Sequence, residues 1–218
     1  EKAMGQWSAD RCIQELDAFL GCEQVARLGR TELLAEVFTS RSTKELEAGI
    51  SQRVLEGRDS RKHRLEASAI DSHFDQLEGD LRKKLGVGVS LAQQRQAALH
   101  IACGTGTHAF VEGWAGTGKT TMLKAVGEAY KAAGFTLQGC CQSAAASQNL
   151  ARETGIPSRT IASLLLSLQE GKTALAKKSI VILDEAGMVG SREFELLQAE
   201  AAKAGAKLVS VGDPKQLQ

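Results

Sequence analysis

The chain has 218 residues and a formal net charge of +1, room for one large domain or a domain with a small companion. Its 43% apolar and 24% charged residues are ordinary for a soluble fold, and 4% aromatics with two prolines disfavour an all-β sandwich. Charge in near balance both before and after residue 86 excludes a body held on nucleic acid by charge alone, and no apolar run approaches the ~18 residues of a membrane span.

The opening residues, Glu1-Lys2-Ala3-Met4, lack the basic-then-apolar layout of a secretion signal, so a cytoplasmic protein with no membrane partner is expected. Cys12, Cys22, Cys103, Cys140 and Cys141 form no C-x-x-C pair and read as buried, reduced thiols. His100 and Cys103 share a helix face, but no second pair completes a zinc site.

In chain order, residues 1–85 read as all-helical. Ser42-Thr43-Lys44-Glu45 has the form of a capping box, and Leu46, Ile50 and Val54 then line one face. Arg58 to Arg64 is a basic interruption. It reads as a solvated interhelix loop rather than a phosphate contact, because no aromatic is interleaved for base stacking. Ile70, Phe74, Leu77, Leu81 and Leu85 follow at helical spacing, with Gly86 and Gly88 as the stop. Ser90 with Gln93 is a second capping box, opening a helix that Cys103-Gly104-Thr105-Gly106 ends.

Apolar runs at Ala109–Val111, Phe135–Cys140, Ile180–Leu183 and Leu208–Val211 then alternate with helical stretches around 119–133, 144–153, 160–169 and 191–203. That alternation predicts βαβ units and a parallel sheet. The expected organisation is a helical subdomain over 1–88 and an α/β domain over 89–218.

Gly113-Trp114-Ala115-Gly116-Thr117-Gly118-Lys119-Thr120 matches G-x-x-x-x-G-K-[ST] in full, between an apolar run and a helix. Gly113, Gly116 and Gly118 let the backbone wrap phosphates and turn its N–H groups inward. The helix N-terminus adds a positive dipole end. Lys119 places a cation on the β/γ-phosphates, and the Thr120 hydroxyl ligates Mg²⁺. Together with Thr117 and Thr121, these residues are the candidate site for ATP or ADP. Ile180-Val181-Ile182-Leu183-Asp184-Glu185 then reads as a buried strand with acids at its carboxyl end, where open α/β sheets bind ligands. There Asp184 can hold Mg²⁺ and Glu185 can orient and deprotonate water. Gly212-Asp213-Pro214-Lys215-Gln216-Leu217 follows another strand, and Gln216 can reach a γ-phosphate.

These three elements, in this order, resemble superfamily 1 helicases. Residues 94–218 resemble the first motor half of the helicase in TraI/TrwC-type conjugative relaxases, relatives of RecD-like helicases. Gln94 fits that group's adenine-reading glutamine, with Gln93 and Gln96 as neighbouring registers. Ser143-Ala144-Ala145-Ala146 stands where the group contacts single-stranded DNA, and Gly155-Ile156-Pro157-Ser158-Arg159-Thr160-Ile161-Ala162-Ser163-Leu164 resembles the segment before its acidic strand.

The resemblance implies a RecA-like P-loop NTPase sheet flanked by helices, and ATP with Mg²⁺ as cofactors. It also implies 5′→3′ translocation on single-stranded DNA by a longer parent, with relaxosome proteins as further partners. The second motor half, with its arginine finger, and the tyrosine- and histidine-rich nickase have no counterpart in these 218 residues, so a piece of a longer protein that hydrolyses ATP poorly by itself is expected. Two other readings stay open. One is a DNA- or relaxosome-binding module with a structural nucleotide site. The other is a different P-loop ATPase or kinase, made less fitting by the few arginines after the loop: Arg152, Arg159 and Arg192.

Overall fold

The computed structural model describes residues 8–32, 35–85, 90–114 and 116–213. The chain divides into two compact units, Glu1–Ser51 and Gln52–Gln218. In the first, α1 (Ala9–Leu20) starts at Ser8, whose hydroxyl accepts from the Arg11 N–H at 3.4 Å. An antiparallel hairpin follows, β1 (Val25–Arg30) with β2 (Glu36–Ser40). The all-helical expectation missed this hairpin. Its strands are five or six residues long, and the ion pairs of Arg27 and Arg30 with Glu36 join them across the ladder, a non-local contact that helical spacing does not register.

The next helix, α2 (Arg41–Gly57), leaves directly from β2. Its cap is Ser40, whose Oγ accepts from the Thr43 N–H at 3.0 Å, two residues before the predicted Ser42. The last extended residue is the one whose hydroxyl can face the open N–H groups.

The second unit continues with α3 (Ala67–Leu85), α4 (Ala92–Cys103), β3 (His108–Glu112), α5 (Lys119–Ala132), β4 (Thr136–Cys141), α6 (Ala144–Thr154), β5 (Ser158–Thr160), α7 (Ile161–Gln169), β6 (Ser179–Leu183), α8 (Ser191–Ala204) and β7 (Lys207–Gly212). Its five strands are all parallel, in the order β3-β7-β6-β4-β5. The four predicted strands and the four helices between and after them are present. The short edge strand β5 is additional.

This is the RecA-like α/β architecture, and β6 shows why the sequence adopts it. Ile180 and Ile182 face a core completed by Ile70, Phe74, Ile101, Leu123, Val126 and Tyr130 from α3, α4 and α5. Val181 and Leu183 face the opposite core, with Ile161, Leu164 and Leu197 from α7 and α8. A strand apolar at four successive positions is buried on both faces. Each such side chain contributes about 1.5–3 kcal/mol.

Three further expectations change. The start of α4 carries no side-chain cap. In place of the predicted Ser90 box, the Glu78 carboxylate of α3 accepts from the Leu91 N–H at 2.8 Å. The 58–64 loop is not simply solvated: His63 is 1% exposed, its Nε2 lies 3.0 Å from the Lys177 carbonyl, and Tyr130 Oη donates to the His63 carbonyl at 2.9 Å. All five cysteines are free, but only Cys140 and Cys141 are buried; Cys12 is exposed, on a helix with no buried residue. No described helix is long and apolar enough to cross a membrane.

Candidate nucleotide and metal site

Strand order brings three predicted elements to one edge. β3 and β6 each pair with β7, so the loop after Glu112, the acids after Leu183 and Asp213 after Gly212 all emerge at the carboxyl ends of neighbouring strands. The Gly113 N–H donates to the Gly212 carbonyl at 3.0 Å, and the Asp184 N–H to the Cys140 carbonyl at 3.0 Å.

Gly116 and Gly118 have φ of +77° and +79°, which side-chain-bearing residues rarely adopt. Gly118 passes directly into α5, so the first N–H groups of that helix are presented at the loop. A Cβ at Gly113 would stand 3.1 Å from Thr117 Oγ1 and 3.3 Å from Lys119 Cγ. Lys119 Nζ reaches back across the loop to the Gly113 carbonyl at 2.8 Å. An ammonium has three donors, so two remain for phosphate oxygens. Thr117 Oγ1 donates to the Trp114 carbonyl at 2.7 Å, which ties the loop to itself.

Gln94 reaches this loop from α4. Its Nε2 donates to the Thr117 carbonyl at 2.7 Å and lies 3.0 Å from where a Cβ on Gly118 would stand. Gln93 and Gln94 line one cleft with Gly113, Gly118 and Lys119. Thr121 opens on a different cleft, with His73, Gln76, Leu77, Asp80, Lys124 and Glu128.

Asp184 is largely buried, and burial pushes its carboxyl above the ordinary aspartate value. The Glu185 N–H, at 2.9 Å from Oδ1, and the Lys119 charge oppose that rise, while Glu153 adds to it. Glu185 has φ +56°, alone in that region among the described non-glycine residues. A bulky residue held there is strained, as residues at functional sites often are. Cys141 stands beside both acids: burial, then the Asp184 and Glu185 charges, push its thiol up to about 12.

Thr120 Oγ1 donates to Glu153 Oε2 of α6 at 3.2 Å. Sequence reasoning missed Glu153. The one available signal was an acid in the last turn of a helix, where the dipole disfavours it. Gln216 lies outside the described residues. Ser143 caps α6, accepting from the Ala146 N–H at 3.1 Å, and Thr160 caps α7, accepting from Ser163 at 3.2 Å. The predicted DNA-contacting segment from Ser143 follows the carboxyl end of β4, and Thr160 ends β5, in this same sheet. Arg159 donates to Ser167 Oγ at 3.2 Å, within its own lobe.

The residues fit the groups that the motifs imply. The glycine cradle and the Lys119 donors suit a polyphosphate. Thr120 with Asp184 supplies hard oxygen donors of the kind Mg²⁺ takes when phosphates complete its shell. Among the described residues, no cluster of three His, Cys, Asp or Glu could hold a metal by itself.

Fold and site together define a helicase-like P-loop domain. Residues 90–218 match the family model described as "AAA domain", and the chain belongs to that family. A probable conjugal transfer protein TraA of Sinorhizobium fredii is 48% identical over 128 residues, covering 59% of this chain and 12% of that protein. The conjugal transfer protein TraA of Rhizobium radiobacter is 37% identical over 204 residues, 89% of this chain and 17% of that one. The multifunctional conjugation protein TraI of Escherichia coli K12 is 29% identical over 216 residues, 91% of this chain and 11% of that one. The resemblance to conjugative helicase motors is thereby shown. The chain spans under a fifth of the length of each of these relatives.

Proposed function

We propose that this domain is the ATP-binding half of a DNA motor that works in conjugation. In the full-length protein it would move 5′→3′ along single-stranded DNA in the cytoplasm, coupled to a relaxase and contacting other relaxosome proteins. The observation that carries the reading is the meeting of the Gly113–Thr120 loop, Asp184 and Glu185 at one sheet edge. Lys119 and the loop N–H groups hold the β- and γ-phosphates. Thr120 and Asp184 hold Mg²⁺, which neutralises phosphate charge when bound. Glu185 orients the attacking water and takes its proton. Gln94 lies beside the loop to read the base, and Gln216 follows β7 to report the γ-phosphate. The helix starts capped by Ser143 and Thr160 face the DNA. In two-lobed motors the transition state also needs a cation from the opposite lobe; Arg159, held by Ser167, is not that cation.

The test is a calorimetric titration with Mg-ATP. Wild type binds, and Lys119→Ala weakens binding at least tenfold, because it removes charge-assisted bonds to phosphate. Equal binding by both proteins refutes the reading.

A further inference from the structure

Glu153 occupies an unfavourable place on its own helix. It sits in the last turn of α6, where the helix carbonyls are exposed and the dipole disfavours an acid. It is about half exposed, and its Oε1 has a distant partner in Arg152, at 3.8 Å. The favourable side of its position is across the helix pair. Oε2 accepts from the hydroxyl of Thr120, the second residue of α5, so the acid faces the positive end of that helix. The crossover through β4 and α6 is what puts a residue 33 positions away beside the phosphate loop.

A threonine hydroxyl that ligates a metal does so through an oxygen lone pair. Its proton must then point elsewhere, and a carboxylate that takes it fixes the rotor and makes the oxygen a better donor. Metal-ligating histidines use carboxylates in the same way. From this geometry we infer that Glu153 is a positioning residue for the Mg²⁺ site: it accepts the Thr120 proton and turns the hydroxyl lone pairs toward the ion. The inference rests on the reading of Thr120 as a Mg²⁺ ligand. Glu153 also sets a further negative charge near the phosphates, which opposes nucleotide binding when no ion is there to balance it.

The measurement is ATP affinity with Mg²⁺ and with excess chelator, for wild type, Glu153→Ala, Glu153→Gln, Thr120→Ala and the Thr120→Ala/Glu153→Ala double variant. The ratio of the two affinities is the gain due to the ion. Glu153→Ala should lower that gain about 10–100-fold, the usual effect of losing such a partner, while affinity in chelator stays level or rises. Glu153→Gln keeps an acceptor without the charge and should fall between wild type and Glu153→Ala. In the Thr120→Ala background, loss of Glu153 should change the gain little, because no hydroxyl remains to be held. A wild-type gain in Glu153→Ala overturns the inference. So does an undiminished effect of Glu153→Ala in the double variant, which would show action on something other than Thr120. If Thr120→Ala itself keeps the full gain, the underlying assignment of Thr120 fails, and that result is separate from the first two.

Discussion

Lys207 is fully buried at the start of β7, with its Nζ donating to the Ile101 carbonyl at 2.5 Å. Burial pulls its ammonium from 10.5 down to about 8, at the end of the sheet away from the candidate site. At about 1.4 kcal/mol per tenfold change in proton affinity, that fall corresponds to roughly 3 kcal/mol of stability given up to bury the charge. The folded pKa lies below the unfolded one. The cost is therefore present in full below pH 8 and is relieved as pH rises from 8 toward 10.5. Lys207→Met keeps the stem and removes the charge, and the Ile101 carbonyl still accepts from Tyr130 Oη at 3.2 Å. Urea unfolding followed by circular dichroism should find Lys207→Met more stable than wild type at pH 7, by about 1–3 kcal/mol after the lost hydrogen bond is counted. That advantage should shrink between pH 8 and 10. Burial also raises Cys140, Cys141 and Tyr130, which destabilises both proteins in alkali and cancels in the comparison; Cys103, raised by burial but held back by the Lys207 charge, rises further in the variant and shrinks its advantage in the same direction. Parallel stability curves from pH 7 to 10 would refute the argument.

Three further outcomes are expected. His108 is lowered to about 4 by burial, then by the Arg53 and Lys207 charges; the unfolded chain takes up its proton first, so stability falls as pH drops from 6.5 through 4. His108→Gln should flatten that slope in acid unfolding, by up to about 3 kcal/mol at pH 4. Gly118→Ala meets both φ +79° and the Gln94 side chain at 3.0 Å; it should weaken Mg-ATP binding severalfold in calorimetry, since the left-handed conformation alone costs about 1–2 kcal/mol. At Gly139, a Cβ would stand 2.1 Å from Ser158 Oγ and 3.0 Å from Leu150 Cδ2. Gly139→Ala should therefore lower the melting temperature by several degrees, and Ser158→Gly should restore part of the loss.

What the sequence made legible is what a single stretch of chain encodes. The loop from Gly116 to Thr120 carries its own conformation, because glycines at 116 and 118 permit the positive φ and the next residue opens a helix. The acids at 184 and 185 are readable because the four apolar residues Ile180–Leu183 read as a buried central strand, and the end of such a strand is a sheet edge. Most of the misses have a different cause: they depend on a partner outside the stretch being read. Ser90 lost its capping role to Glu78, a side chain of the preceding helix. Glu36 stabilises a hairpin only because Arg27 and Arg30 stand across from it. Lys207 directly precedes the apolar run Leu208–Val211, and its partner is the backbone carbonyl of Ile101 in α4. Glu153 is the consequential case. Nothing within ten residues of it suggests a metal, and its neighbourhood is set by the order β6-β4-β5 and by the packing of α6 beside α5. A motif states which atoms meet the ligand; the topology decides which atoms stand behind them, and here it places a carboxylate at the one hydroxyl whose orientation the proposed metal site depends on.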